Sequence, residues 1–185
     1  MKYFTFTLIM LFIFATSESY AKGPFNLNKS DLNIGIGLGS HVYGNTSTIP
    51  PISASYEVGF PWKINDITKN ISLGGYLGYA MSESDWSWGT YTYTEIIIGA
   101  RGSYHFYNED NIDAYGGLMI GYDIFSSSYK SKTGYADYNW SDNGSSGLTY
   151  SAYLGGRYFF SESFGAFAEL GYGIAYLNLG ITMKF

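Results

Sequence analysis

Two histidines and the serines and carboxylates near them are the residues best suited to chemistry in this sequence. A hydrolytic serine needs a histidine within hydrogen-bond reach and a carboxylate that orients the histidine. His105 with Asp113 and Ser103 is the one arrangement of this kind, since Ser40 and His41 fall on opposite faces of their strand. The His105 group is predicted to face a barrel lumen, away from lipid substrates, and serine–histidine spacing alone is unspecific. The sequence therefore predicts no enzyme.

Charged residues on the same strand faces predict a network of ion pairs inside the fold. Three acids, three bases and one histidine share these faces, and charges in a low-dielectric interior must pair. The expected strand registers place His105 opposite Asp113 and Arg157 diagonal to Glu169, where opposite charges attract. We interpret the set as a structural plug, with a gated, narrow ion path as the alternative. Its members are Glu57, Arg101, His105, Asp113, Arg157, Glu169 and Lys184.

Glu95 and Asp123 are the exception, because the same register places these two acids opposite each other at the external mouth of the lumen. Like charges directly opposite are unfavourable. Three interpretations stay open: the acids are solvated at the mouth, Lys130 or Lys132 neutralises them, or they hold a divalent cation with hard oxygen ligands. Solvation is the simplest, and neutralisation is favoured over the cation. We expect no resident metal and no cofactor.

The elements that position these groups are strands with a period of two. Apolar and polar residues alternate in eight segments, most of them about as long as the ~9–11 residues that cross a bilayer as a strand. The turns at 107–111 and 161–163 are short, whereas 82–90 and 125–147 are long external loops. The sequence predicts an all-β fold, an eight-stranded antiparallel up-and-down transmembrane β-barrel. The predicted strands span residues 31–43, 52–60, 71–81, 91–106, 112–124, 148–160, 164–172 and 177–185.

Aromatic residues lie at one end of the apolar face of these strands, all at one level, which indicates that this face points outward to lipid. A ring of aromatics at the water–lipid boundary explains the pattern, whereas the core of a soluble barrel gives no reason for it. Trp86, Trp88 and Trp140 lie in the external loops, where aromatics either bind ligands or rest on lipid headgroups. The predicted periplasmic girdle is Phe60, Tyr104, Phe106, Tyr158, Phe160, Phe164 and Phe185.

Composition narrows the function classes further. The 185 residues include 10 basic and 15 acidic side chains, a formal net charge of -5, so no basic patch for nucleic-acid binding is expected. The absence of cysteine excludes a disulfide framework and a thiolate metal site. A positively charged start, an apolar run over 4–15 and small residues at 19 and 21 predict a secretory signal peptide over 1–21. Residues 22–30 are expected to be a short, unstructured periplasmic lead, and 31–185 the barrel.

The final predicted strand carries a resemblance to a known family. Gly180, Met183 and Phe185 resemble the closing strand of Gram-negative outer-membrane β-barrels, in which a Gly-x-x-apolar-x-Phe terminus is read by the barrel assembly machinery. Together with the eight strands, they make nearly the whole mature chain similar to the small outer-membrane β-barrel family of the OmpA transmembrane-domain and OmpX kind, often labelled porin-like. Leu179 departs from the pattern, which usually has a polar residue there. The resemblance implies an outer-membrane location and brings no shared catalytic residues.

These observations predict a non-enzymatic integral outer-membrane β-barrel with a structural or surface-interaction role through its external loops. Its partners would be outer-membrane lipid and the assembly machinery, and the sequence names no external ligand. The alternative is a narrow porin for small solutes or ions. Because a filled lumen needs no second chain, we expect a monomer.

Overall fold

The structure, a computed structural model, describes residues 25–39, 46–60, 68–132, 139–142, 144 and 146–185. The predicted signal peptide and residues 22–24 lie outside the described residues. One 3₁₀ turn, Thr68–Asn70, precedes the third strand. No helix in the described part of the chain is long and apolar enough to cross a membrane. The strands are β1 (Ser30–Leu38), β2 (Thr46–Gly59), β3 (Ile71–Trp86), β4 (Gly89–Glu109), β5 (Ile112–Ser131), β6 (Asn139–Asp142), β7 (Gly147–Phe159), β8 (Phe164–Gly171) and β9 (Leu177–Lys184).

Eight of these strands close into an antiparallel up-and-down barrel, which confirms the predicted fold class. Each barrel strand pairs with its neighbours along the chain, and β1 pairs with β9 to close the sheet. The short β6 pairs only with the far end of β5 and adds a fourth strand to the projecting ends of β3, β4 and β5. We call the end that holds the β4–β5 and β7–β8 turns the lower end, and the opposite end the upper end.

At the upper end, strands replace the two predicted loops. The segment 82–90 is a hairpin, because β3 continues to Trp86 and β4 begins at Gly89 after a two-residue turn. The segment 125–147 contains the end of β5 and the whole of β6. Cross-strand pairing therefore stabilises residues whose polar composition alone indicated irregular structure.

At the lower end, a short turn and a bulge together change one predicted register. β4 continues to Glu109 and turns through Asp110, whose φ of 49° suits a two-residue hairpin. Because this turn is shorter than the predicted one, His105 lies opposite Tyr115 rather than opposite Asp113, and the register shift between His105 and Tyr107 accounts for one residue of the change. The extra residue lets Phe106 and Tyr107 both face outward, and Asn108 returns to the lumen side.

Alternation assigns the two faces of the wall as predicted. Polar and small side chains point into the barrel, and the large apolar side chains that remain exposed, such as Ile36, Leu77, Leu118 and Leu154, point outward. Of the described part of the lead, Phe25 is buried at the lower end of the lumen, whereas Asn26, Asn28 and Lys29 are exposed. Burying this ring provides a hydrophobic contact that a free arm would lack.

Candidate functional site

The centre of the lumen is occupied by the Glu57 carboxylate of β2. Its Oε1 lies 3.1 Å from Arg101 Nε and 3.2 Å from an Arg157 amino nitrogen. Its Oε2 accepts hydrogen bonds from Ser72 at 2.9 Å and from Ser103 at 3.1 Å. One carboxylate therefore contacts two guanidinium groups and accepts hydrogen bonds from side chains on two other strands.

Arg101 of β4 connects Glu57 to Glu169 of β8 across the lumen. Its guanidinium donates to both Glu169 oxygens, at 2.6 Å and 3.4 Å. It also stacks 3.9 Å above the Tyr153 ring and donates to the Tyr153 hydroxyl at 3.1 Å. Tyr115 donates to Glu169 at 3.1 Å. The partner of Glu169 is thus Arg101, and not Arg157, its diagonal neighbour in the β7–β8 register.

Arg157 of β7 is the second cationic centre, with only 1% of its surface exposed. Besides Glu57, its guanidinium contacts Asp113 at 2.9 Å and Asp31 at 3.6 Å, and it donates to the Asn33 side chain at 3.1 Å. Its carbon centre lies 4.4 Å above the Tyr115 ring. Arg157 therefore contacts groups from three other strands, β1, β2 and β5.

His105 forms a serine–histidine–aspartate relay, but with Ser72 in place of the expected Ser103. Nδ1 lies 2.7 Å from Asp113 and Nε2 lies 3.0 Å from Ser72 Oγ. Ser72 also donates its one hydrogen to the Glu57 carboxylate at 2.9 Å, so it has no hydrogen left to give to His105. A hydrolytic serine would instead give its hydrogen to the histidine, and all three side chains here are buried.

The lower mouth of the lumen is covered by Phe25 from the lead. The Phe25 ring stacks on His105 with centroids 3.8 Å apart and an interplanar angle of 11°. Asn108 holds the segment by accepting from the Phe25 backbone N–H at 2.7 Å and donating to its carbonyl at 3.0 Å. Lys184 of β9 lies beside this layer, with Nζ 3.6 Å from the centre of the Phe159 ring.

The upper half of the lumen is filled by an apolar layer. The connection between β8 and β9 folds Ile174 and Ala175 inward, where they pack with Tyr76, Ile97 and Met119 among others. Between this layer and the Arg101–Glu169 pair, a cavity of about 10 Å³ remains. A space of this size holds at most about one water molecule.

Glu95 and Asp123 lie above the charged layer, but they are not directly opposite. The register places Glu95 opposite Phe125, and Asp123 opposite Ile97. Glu95 is only 1% exposed, so the structure does not show this carboxylate solvated at an open mouth of the lumen. His41, the other histidine, lies outside the described residues.

Above the barrel, β3 to β6 form a four-stranded sheet with an aromatic face. Tyr91, Tyr129 and Trp140 occupy one row across neighbouring strands, and the first two rings are 4.7 Å apart. Trp86 and Trp88 stack at the hairpin tip with centroids 5.4 Å apart. All three tryptophans are exposed, on strands or a tight turn rather than on irregular loops.

A surface ion pair joins the hairpin tip to β5. Lys132 Nζ lies 2.7 Å from Asp85 and donates to the Trp86 carbonyl at 3.0 Å. The hydrogen bond from Lys132, with a second one from Thr90, lowers the pKa of the Asp85 carboxyl below its ordinary value. This pairing directs the Lys132 ammonium to Asp85.

The predicted girdle aromatics all lie around the lower end, at or within a few residues of strand ends. Tyr158 packs edge-on against Phe160 at 5.4 Å, and Phe160 lies 6.4 Å from Phe164. In β9, Gly180 faces inward opposite Gly35, while Met183 and the exposed Phe185 belong to the outward side. Phe185 forms backbone hydrogen bonds with Ser30 in both directions, at 2.9 Å and 3.2 Å.

Two solved structures of Ail, the attachment invasion locus protein of Yersinia pestis, share this architecture. One aligns with a TM-score of 0.54 at 14% identity, covering 85% of this chain and 99% of Ail. The other, in complex with the heparin analogue sucrose octasulfate, aligns with a TM-score of 0.56 at 14% identity, covering 85% and 98%. This chain has the fold of a small outer-membrane β-barrel. Neither a protein-family model nor a curated protein matches the sequence.

The alternation of inward-facing and outward-facing residues along each strand identified the seven predicted network residues in this outer-membrane barrel fold. It missed several of their partners. Asp31 was missed although it shares the inward face of β1 and lies directly opposite Lys184. Ser72 and the phenols of Tyr115 and Tyr153 carry no charge and gave no comparable signal. Phe25 and Ile174 could not be found by periodicity, because both lie outside the alternating strands.

Proposed function

We propose that this chain is an integral outer-membrane protein, with its lower end in the periplasm and its sheet of β3 to β6 outside the cell. The observation that carries the proposal is the inversion of the barrel wall: charges are buried inside, and large apolar side chains are exposed outside. Leu118 is 70% exposed and Tyr150 83% exposed, among a continuous belt of such residues. A belt of this extent in water would be an aggregation surface, whereas hydrocarbon covers it.

We propose that the lumen is closed and that the protein is not an enzyme. Three layers support closure: Phe25 at the lower end, the charge network above it, and the Ile174 layer at the top. Eight strands leave room for little more than these side chains. A narrow pore is the second candidate, and the small cavity beside the Arg101–Glu169 pair is the observation that favours it.

Planar-bilayer conductance separates these two candidates. The protein is refolded in detergent, and a mobility shift on boiling shows that the barrel has formed. We expect no discrete channel openings, because ion pairs span the lumen. Reproducible openings from protein that shows the mobility shift would refute closure and establish the pore.

We propose that the role of the protein is interaction at the cell surface through the upper sheet. Tyrosine and tryptophan provide large contact area at low conformational entropy cost, and paired strands hold them in place. The name of Ail refers to attachment and invasion. The sulfated ligand bound to Ail is not expected to transfer, because Lys132 is paired with Asp85 and the chain is acidic overall.

Adhesion of cells that display the protein tests this role. We expect the triple change of Trp86, Trp88 and Trp140 to serine to reduce attachment to epithelial cells about tenfold, as for loss of interface anchors. The control changes Tyr172 and Tyr176 to serine, since these exposed rings lie at the same end but off the sheet. Equal attachment of all three strains, at equal surface display, would contradict the proposal.

A further inference from the structure

The outward wall contains a groove that the closed lumen does not explain. It has a volume of about 870 Å³ and crosses β3, β4, β5 and β7 on the apolar side. Its floor is made of small residues, Ala100, Gly102, Gly116 and Ala152. Its rim is made of large ones, Leu73, Tyr104, Leu118 and Tyr150. The side chains that form it are almost entirely apolar.

The two floor glycines are not required by packing inside the barrel. A Cβ added to Gly102 would meet Leu73 at 3.4 Å, and one added to Gly116 would meet Leu154 at 3.5 Å, both ordinary contacts. The inward glycines differ, since a Cβ on Gly155 would lie 2.6 Å from the Tyr115 ring. Glycine within a strand reduces stability and often marks a place where another molecule approaches the backbone.

The depth of the groove assigns it to one leaflet. It covers three neighbouring outward rows, those of Ala100, Gly102 and Tyr104 on β4. Tyr104 belongs to the lower aromatic girdle, so the groove begins at the lower interface and extends toward the middle of the membrane. If the barrel spans the outer membrane as proposed, the hydrocarbon beside the groove belongs to the periplasmic leaflet.

We propose that this groove binds one acyl chain of a phospholipid in the periplasmic leaflet. If the groove were empty, its wall and the surrounding lipid would both lose dispersion contacts. A flexible, unbranched acyl chain can follow the floor of the groove and make these contacts. A second copy of the barrel fits less well, because a stable interface buries about 800 Å² on each partner. The groove extends over only three rows, and the protruding Leu118 and Tyr150 hold a flat wall away from its floor.

Native mass spectrometry of protein released from phosphatidylethanolamine and phosphatidylglycerol nanodiscs tests the proposal. We expect the unchanged protein to retain one phospholipid under activation that strips the other lipids. The double variant Gly102→Leu/Gly116→Leu should lose it, because leucine fills the floor. The control Gly156→Leu should keep it, since Gly156 faces outward away from the groove and has similar room, with its nearest neighbour at 3.7 Å.

A crosslinking experiment needs no variant. A phospholipid with a diazirine near the end of its acyl chain should label residues 100–104 and 116–120 above the rest of the apolar belt. Uniform labelling, equal lipid retention by all three proteins, or a dimer peak that only the groove variant loses would each overturn the proposal. Failure to enter nanodiscs or to show the mobility shift would instead refute the membrane placement itself.

Discussion

Removal of the Arg157 guanidinium is the most direct test of the charge network. The side chain contacts Asp31, Glu57 and Asp113 within 3.6 Å, in a site with almost no exposed surface. Arg157→Gln removes the guanidinium that these three carboxylates share and leaves them buried without that partner.

The expected effect is a loss of about 3–5 kcal/mol in the free energy of unfolding, the range found when one partner of a buried ion pair is removed. The double variant Glu57→Gln/Arg157→Gln removes one charge of each sign and leaves the net charge of the cluster unchanged. We expect it to be more stable than the sum of the two single changes predicts, by about 0.5–3 kcal/mol.

Urea unfolding of the refolded barrel, followed by circular dichroism and by the mobility shift, measures these differences. Lys132→Gln is the control, because Lys132 is largely exposed and an exposed ion pair contributes little. If Arg157→Gln unfolds at the same urea concentration as the unchanged protein, the ion-pair account of the lumen is wrong. Additive effects of the two lumen changes would also contradict direct coupling between Glu57 and Arg157.

Three further predictions concern other parts of the molecule. Ile174→Ala should lower the free energy of unfolding by about 2–5 kcal/mol through a cavity, yet open no channel in planar bilayers, because the charged layer below remains. By NMR, the Asp85 carboxyl should have a pKa below its ordinary value, and this pKa should return toward the ordinary value in Lys132→Gln. Because the folded-state pKa is depressed, the ion pair stabilises the hairpin at neutral pH. This contribution is lost as the pH falls through the folded-state pKa. Gly180→Ala should impair refolding in detergent, because a Cβ there overlaps the Ile34 carbonyl. Phe185→Ser should instead leave refolding in detergent intact and reduce outer-membrane insertion in cells, as expected if the assembly machinery reads Phe185.

Alternation of residue types was sufficient to predict the eight barrel strands, their faces and seven residues of the charge network, although not Asp31. It worked for Glu57, Arg101 and Arg157 because a side chain on the wrong face would place a charge in lipid. The pattern carries little information about register at a turn. The two-residue turn and the bulge at Phe106 therefore shift the β4–β5 pairing, while His105 still reaches Asp113 diagonally at 2.7 Å.

The parts that sequence analysis missed depend on contacts between distant segments. Phe25 is placed by His105 and Asn108, 80 and 83 positions away, and nothing in the residues 22–30 indicates a binding partner. The residues 82–90 are polar enough to predict a loop. They form a hairpin because β3 and β4 continue past their predicted ends and pair with each other there. These are tertiary effects that override local preference.

The unequal heights of the strands give the barrel a weak side. β8 and β9 have eight residues each and β1 has nine, whereas β4 has 21 and β5 has 20. Amide hydrogen exchange should therefore begin among β1, β8 and β9, whose short ladders contain few backbone hydrogen bonds, and reach β4 and β5 last. Local opening would then spread around the barrel from these short strands, while the long strands that carry the external sheet remain paired.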